Sequence, residues 1–162
     1  MPPPDPPRVM LKFGEGCGSV EDVVEYLAGL LADGYLWIDR DRHDYQYRIY
    51  DRWREFLVLV AKLIGGLGYE AHIYARGGGR WYELVVYSKS FVSSIAEVWE
   101  RLLGSPTVAF ARGLADAEAS VIRGNPNRVK FTNRDERVAS AFAKVLAQNN
   151  ICLLYTSDAA DE

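Results

Sequence analysis

The sequence predicts an α+β fold made of two similar halves, the second shorter than the first. Three observations predict it. The hydrophobic period switches between helical and alternating in the order helix, hairpin, helix, hairpin, helix; that order starts again near residue 107; and each start carries a small-residue helix with an acid at its end. The first such stretch is YLAGLLADGYL, Tyr26 to Leu36, in which Ala28 and Ala32 share a face beside Gly29 and Asp33 closes the helix. The second is ARGLADAEASV, Ala111 to Val121, in which Gly113 and Ala117 repeat the spacing and Glu118 takes the place of Asp33. Two helices packed small face to small face would set Asp33 and Glu118 side by side.

The elements follow in order. Met1 to Gly18 holds PPPDPP and GEGCG, too rich in Pro and Gly for a packed element, and reads as a flexible arm. Ser19 and Asp22 fit a capping box, so the first helix is expected from there through Ala32. Tyr35 to Arg40 and Tyr45 to Tyr50 alternate as two strands around DRHD, with Leu36 and Ile38 on one face and Tyr35, Trp37 and Asp39 on the other. Arg52 to Leu67 returns to helical spacing through Trp53, Phe56, Val60 and Ile64, a core stripe, and stops at glycines. A hairpin from Tyr69 to Ala75 and Arg80 to Tyr87 turns at Gly77, Gly78 and Gly79, and Ser90 to Leu103 is a third helix. The second round gives a helix over Thr107 to Ala117, a hairpin from Ser120 to Arg123 and Arg128 to Thr132, and a helix over Asp135 to Asn149. There the copy stops, without a second hairpin and last helix, so a truncated second repeat is expected. The step from Asp33 to Glu118 sets the repeat at 85 residues.

Composition bounds the class. The chain has 162 residues, 49% of them hydrophobic, enough for one sizeable core. No apolar run approaches the ~20 residues of a spanning helix and no charged leader opens the chain, so a cytoplasmic protein without a membrane span is expected. Cys17 and Cys152 have no metal-ligand spacing, and neither His43 nor His72 has a partner at such spacing. The tail CLLYTSDAADE, residues 152–162, resembles translated sequencing-adapter sequence and is set apart from the fold. It holds Asp158, Asp161 and Glu162 and no Lys or Arg, so the net charge of −3 becomes 0 without it.

The two acid-ended stretches resemble the paired motifs of the LAGLIDADG homing endonucleases, in the monomeric form with two motifs in one chain. The resemblance implies a pseudo-symmetric pair of αββαββα repeats, here residues 19–106 and an incomplete 107–151, with motif helices at the interface and antiparallel sheets forming a DNA-binding saddle. Two registers fit the first motif: ungapped from Asp33, Ala28 takes the place of the usual Gly; alternatively Gly29 aligns and one residue is missing. The second motif has Ala119 where a Gly usually follows the acid, a restriction if φ is positive there.

The resemblance implies metal-dependent, site-specific cleavage of double-stranded DNA by a monomer. Asp33 and Glu118 would hold Mg²⁺ or Mn²⁺, assisted by the carbonyls of Ala32 and Ala117, and Arg134 and Arg52 would take the place of the family's basic residue at the strand end. A hard cation held by carboxylates and substrate phosphates suits phosphodiester cleavage. The sheets would contact DNA through Arg48, His72, Tyr74 and Arg76 in the first copy and Arg123, Arg128 and Lys130 in the second. From Ala119 to Arg134 there are four basic residues and no acidic one, which suits a polyanion. Alternatives on the same scaffold are a non-cutting binder, either an RNA maturase acting on intron RNA or a regulator, and an inactive truncated fragment.

Overall fold

The first helix, α1 (Val20–Gly29), begins at the expected capping box: the Ser19 hydroxyl accepts the Asp22 N–H and the Asp22 carboxylate accepts the Ser19 N–H, both at 3.1 Å. The computed structural model describes residues 19–151, so the arm expected at 1–18 and the tail at 152–162 lie outside the described residues. The α-helix does not run to Ala32, because Leu30–Asp33 tighten into a 3-10 turn. Then come β1 (Gly34–Asp39), β2 (Asp44–Asp51), α2 (Arg54–Gly66), β3 (His72–Arg76), β4 (Trp81–Tyr87) and α3 (Lys89–Gly104). The second round is α4 (Val108–Glu118), β5 (Ala119–Ile122), β6 (Arg128–Phe131) and α5 (Glu136–Gln148).

Strands β1 to β4 form one antiparallel sheet in the order β1-β2-β4-β3. Side chains alternate across a strand, and here Tyr47, Ile49, Leu84 and Val86 enter the core with Leu27, Leu57, Ile64 and Ile95 of the helices. The Tyr47 hydroxyl donates to the Leu27 carbonyl at 2.6 Å, and burial pushes its phenol pKa well up. The opposite face carries Arg48, Tyr50, His72, Tyr74, Arg76, Glu83 and Tyr87. Leu36 and Ile38 share the core-side face as expected, but Ile38 is 47% exposed because it sits at the turn end of an edge strand. No helix among the described residues is long and apolar enough to cross a membrane.

The second half is an α-helix, a two-stranded sheet and a helix among the described residues. Phe131 stacks on Phe142 of α5 with ring centroids 4.2 Å apart, and Asp135 caps α5 by accepting the Arg137 N–H at 2.9 Å. The Arg137 guanidinium beside it holds the Asp135 carboxyl below the usual range. On the Phe131 face, Val121 and Val129 are each 68% exposed, the open apolar surface that a two-stranded sheet leaves.

The halves meet where α1 crosses α4. A Cβ on Gly29 would lie 2.3 Å from the Phe110 carbonyl oxygen and 2.8 Å from the Gly113 Cα. A Cβ on Gly113 would lie 2.1 Å from the Tyr26 carbonyl oxygen and 2.8 Å from the Gly29 Cα. The contacts mirror each other, each glycine receiving the carbonyl three residues before the other. The expected stripe of Ala28 and Ala32 is therefore not the crossing; Ala28 is fully buried elsewhere in the core. Nearer the helix starts, the Thr107 hydroxyl accepts the Phe110 N–H at 3.3 Å, capping α4, and donates to the buried Glu25 at 2.7 Å. Arg101 lies 3.7 Å from the same carboxylate.

Because backbone atoms cannot yield as a side-chain tip can, Gly29→Ala and Gly113→Ala are each expected to cost about 3 kcal/mol or more in urea unfolding. Gly65→Ala, inside α2 with nothing within 4 Å of its added Cβ, is expected to gain about 0.5–1 kcal/mol.

Candidate active site

The glycine crossing fixes the motif register. Gly29 and Gly113 are equivalent, so Asp33 stands four residues beyond its glycine and Glu118 five. The 3-10 turn makes up the difference. Four 3-10 residues rise ~8 Å and rotate ~480°, whereas five α-helical residues rise ~7.5 Å and rotate ~500°. The two acids thus leave their helices at nearly the same height and angle. Since Thr107 at the start of α4 is tied to Glu25, one turn before Gly29 in α1, and α4 packs on the 3-10 turn, both acids lie on the same side of the crossing.

Each acid is followed directly by a strand. Gly34 has an extended φ of −169°, and the space demands glycine: a Cβ there would lie 2.2 Å from the Arg48 carbonyl oxygen. Ala119 has φ −79° and ψ 145°, ordinary extended backbone, so the missing glycine in the second motif causes no strain. The last helical hydrogen bonds before the strands are Gly34 N–H on the Leu31 carbonyl, a 3-10 bond, and Ala119 N–H on the Ala115 carbonyl, an α-helical one. The carbonyls of Ala32 and Ala117 lie beyond those last acceptors, at the level of the acids.

Arg52 and Arg134 occupy equivalent turns. The Asp51 carboxylate accepts the Trp53 N–H at 2.8 Å, and the Asn133 side-chain oxygen accepts the Asp135 N–H at 2.8 Å. Each is a side-chain-to-backbone turn that closes over one arginine and starts the following helix, α2 or α5. In the first half the strand end faces the acid: Asp33, Tyr50, Asp51, Arg52, Trp53 and Trp81 line one open cleft of about 250 Å³. Burial pushes the Tyr50 phenol up to about 12, reinforced by its hydrogen bond with Tyr35, so it stays a neutral hydroxyl in the cleft. Arg134 is exposed in the β6–α5 turn and Glu118 is half-buried. Sequence reasoning missed Asp51 and Asn133; the readable signal was Asp-x-Trp and Asn-x-Asp, an Asx-turn donor spacing at each strand end. It also missed Asp116, which accepts the hydroxyl of the buried Tyr26 at 2.5 Å across the helix pair.

The donor chemistry fits a hard divalent cation. The acids supply carboxylate oxygens and the adjacent backbone supplies carbonyl oxygens, with no thiolate or imidazole. Among the described residues no three His, Cys, Asp or Glu side chains converge on one point, so any cation here needs further oxygens from water or substrate.

The expected nucleic-acid residues divide by half. Arg48, His72, Tyr74 and Arg76 share the outer face of the four-stranded sheet. Arg48 and Arg76 both pair with the buried Glu83, and the Tyr74 and Tyr87 hydroxyls meet at 3.4 Å, which raises the Tyr87 pKa. In the second half, Arg128 and Lys130 lie on the face of β6 opposite Val129, and Arg123 lies just past the end of β5, in the turn rather than on the strand. All three are exposed.

Paired glycine-crossed helices with an acid at each end, each leading into an antiparallel sheet, define the LAGLIDADG fold, and this chain has it. The structure of I-DmoI in complex with DNA and Mn has a TM-score of 0.62 and 22% identity, covering 80% of this chain and 78% of that one. I-DmoI in complex with DNA and Ca gives 0.64 and 22%, covering 82% and 74%. The N-terminal LAGLIDADG domain of DUF199/WhiA gives 0.55 and 22%, covering 81% and 67%. No protein-family model and no curated protein matches the chain.

Gly34→Ala is expected to lower stability by about 2 kcal/mol through its clash with the β2 backbone. Ala119→Gly, despite restoring the usual motif residue, is expected to cost up to about 1 kcal/mol in chain entropy. Urea midpoints of the two variants check the pair.

Proposed function

We propose that this protein is a divalent-metal-dependent endonuclease acting on double-stranded DNA, with residues 19–106 and 107–151 as its two repeats. The observation that carries the reading is the equivalence of Asp33 and Glu118 across the Gly29–Gly113 crossing, an arrangement that an ordinary pair of packed helices has no need of. I-DmoI, named as a homing endonuclease and as a complex with DNA and Mn or Ca, supports the substrate and metal class.

Asp33 and Glu118, with the carbonyls of Ala32 and Ala117, would hold Mg²⁺ or Mn²⁺. The ion supplies charge neutralisation at the scissile phosphate and a more acidic water. Asp33 and Glu118 serve one strand each, since the pseudo-twofold axis of the helices matches the twofold relation of the two DNA strands. Cleavage is an in-line displacement in which a water oxygen bonds to phosphorus as the phosphorus–oxygen bond to the leaving strand breaks. Arg52 and Arg134 would stabilise charge on the phosphoryl oxygens, a role suited to the planar donor fork of a guanidinium. The Asp51 and Asn133 turns hold these arginines at the strand ends. Arg48, His72, Tyr74 and Arg76 on one sheet, and Arg123, Arg128 and Lys130 on the other, contact the duplex.

The test is strand-resolved cleavage of a pooled duplex library with Mg²⁺ or Mn²⁺. Asp33→Asn and Glu118→Gln are each expected to lower cutting by a factor of roughly 10³ or more while leaving duplex binding within about threefold. Salt-sensitive binding without cutting by the unaltered protein would replace the enzyme with a nucleic-acid-binding protein on the same scaffold.

A further inference from the structure

Glu83 sits in the middle of β4 on the outer face of the sheet, yet is only 3% exposed. A carboxylate on an open face is normally solvated, so its burial has a cause. Tyr50 of β2 and Tyr74 of β3 stand directly opposite it in register, and Arg48 and Arg76 reach it diagonally from the same strands. Arg48 donates through Nη1 to one carboxylate oxygen, and Arg76 donates through Nε to the other at 2.8 Å. Both guanidiniums are fixed further. Arg48 Nε donates to the Gln46 side-chain oxygen at 2.6 Å, and Gln46 is itself held by Asp44 at 2.8 Å. Arg76 lies over the Tyr74 ring at 5.2 Å from its centroid.

Two consequences follow. The carboxylate cancels one of the two positive charges, which weakens the pair as a generic phosphate anchor. It also removes the rotamer freedom that makes arginine a non-specific contact, while leaving Nη2 and the second N–H of Nη1 on Arg48, and both Nη groups of Arg76, unused by it. A fixed two-donor fork matches O6 and N7 of guanine in the major groove. We propose that Arg48 and Arg76 are a guanine-reading pair and that Glu83 is their positioning residue. This rests on the sheet being the duplex-binding surface proposed above. Because both forks converge on the oxygens of one carboxylate, the two guanines must lie one or two base steps apart, at ~3.4 Å per step.

The test is selection of bound sites from a randomised duplex library in Ca²⁺, which requires no cleavage, followed by affinity measurements across a salt series. The unaltered protein is expected to enrich two guanines, one or two steps apart. Arg76→Lys and Arg48→Lys keep the charge and lose the fork. Each is expected to lose roughly tenfold or more discrimination at one guanine, with non-specific affinity and salt slope unchanged. Glu83→Gln is expected to relax both positions together while non-specific affinity rises, a result that a merely structural role would not give. If Glu83→Gln does not fold, the two lysine variants decide. Binding without that guanine spacing, or a uniform loss across all sequences in the lysine variants, overturns the inference alone. Absence of any salt-sensitive duplex binding by the unaltered protein overturns the underlying function as well.

Discussion

The backbone contact between Gly29 and Gly113 is the constraint on which the rest depends. It brings two helices close enough that the Tyr26 and Phe110 carbonyls reach the opposite glycines, a distance that any side chain would prevent. Everything functional is measured from that point. The 3-10 turn of Leu30–Asp33 covers in four residues the rise that α4 covers in five, and so preserves the symmetry of the acids although the sequences differ by one residue. Polar ties flank the crossing, Thr107 to Glu25 on one side and Tyr26 to Asp116 along it. They tether side chains that helix packing alone would leave free to slide.

The same economy appears where the strands end. Asp51 and Asn133 make one kind of turn with one kind of hydrogen bond, each placing an arginine between a strand and a helix. The turn's hydrogen bond holds the backbone around the arginine and does not involve its guanidinium. On the sheet the arrangement is reversed: Glu83 fixes the guanidiniums of Arg48 and Arg76 themselves. In the proposed function the strand-end arginines would neutralise charge and the two held by Glu83 would read base edges.

Much of this was legible in the sequence. The capping box at Ser19, both hairpins of the first half, the helix restart at Thr107 and the two acids follow from local signals, because caps, turns and periodicity are local. The 3-10 turn was not legible, since four residues carry too little periodicity to separate 3.0 from 3.6 per turn; only the glycine partner across the crossing decides the register. Glu83 escaped for a similar reason. Its meaning depends on which residues of β2 and β3 stand beside it, and strand register is set by contacts far apart in sequence. Arg123, Arg128 and Lys130 are exposed, which a run of basic residues without an acidic neighbour already suggests.

Under the proposed function Asp33 and Glu118, made equivalent by the glycine crossing, hold divalent cations against a duplex. Anomalous scattering from Mn²⁺ in crystals of the protein bound to duplex DNA tests it most directly. Manganese peaks are expected at the Asp33 and Glu118 carboxylates, in contact with phosphate oxygens of the two strands. Peaks located elsewhere, or none at these carboxylates with DNA bound and Mn²⁺ saturating, would contradict it.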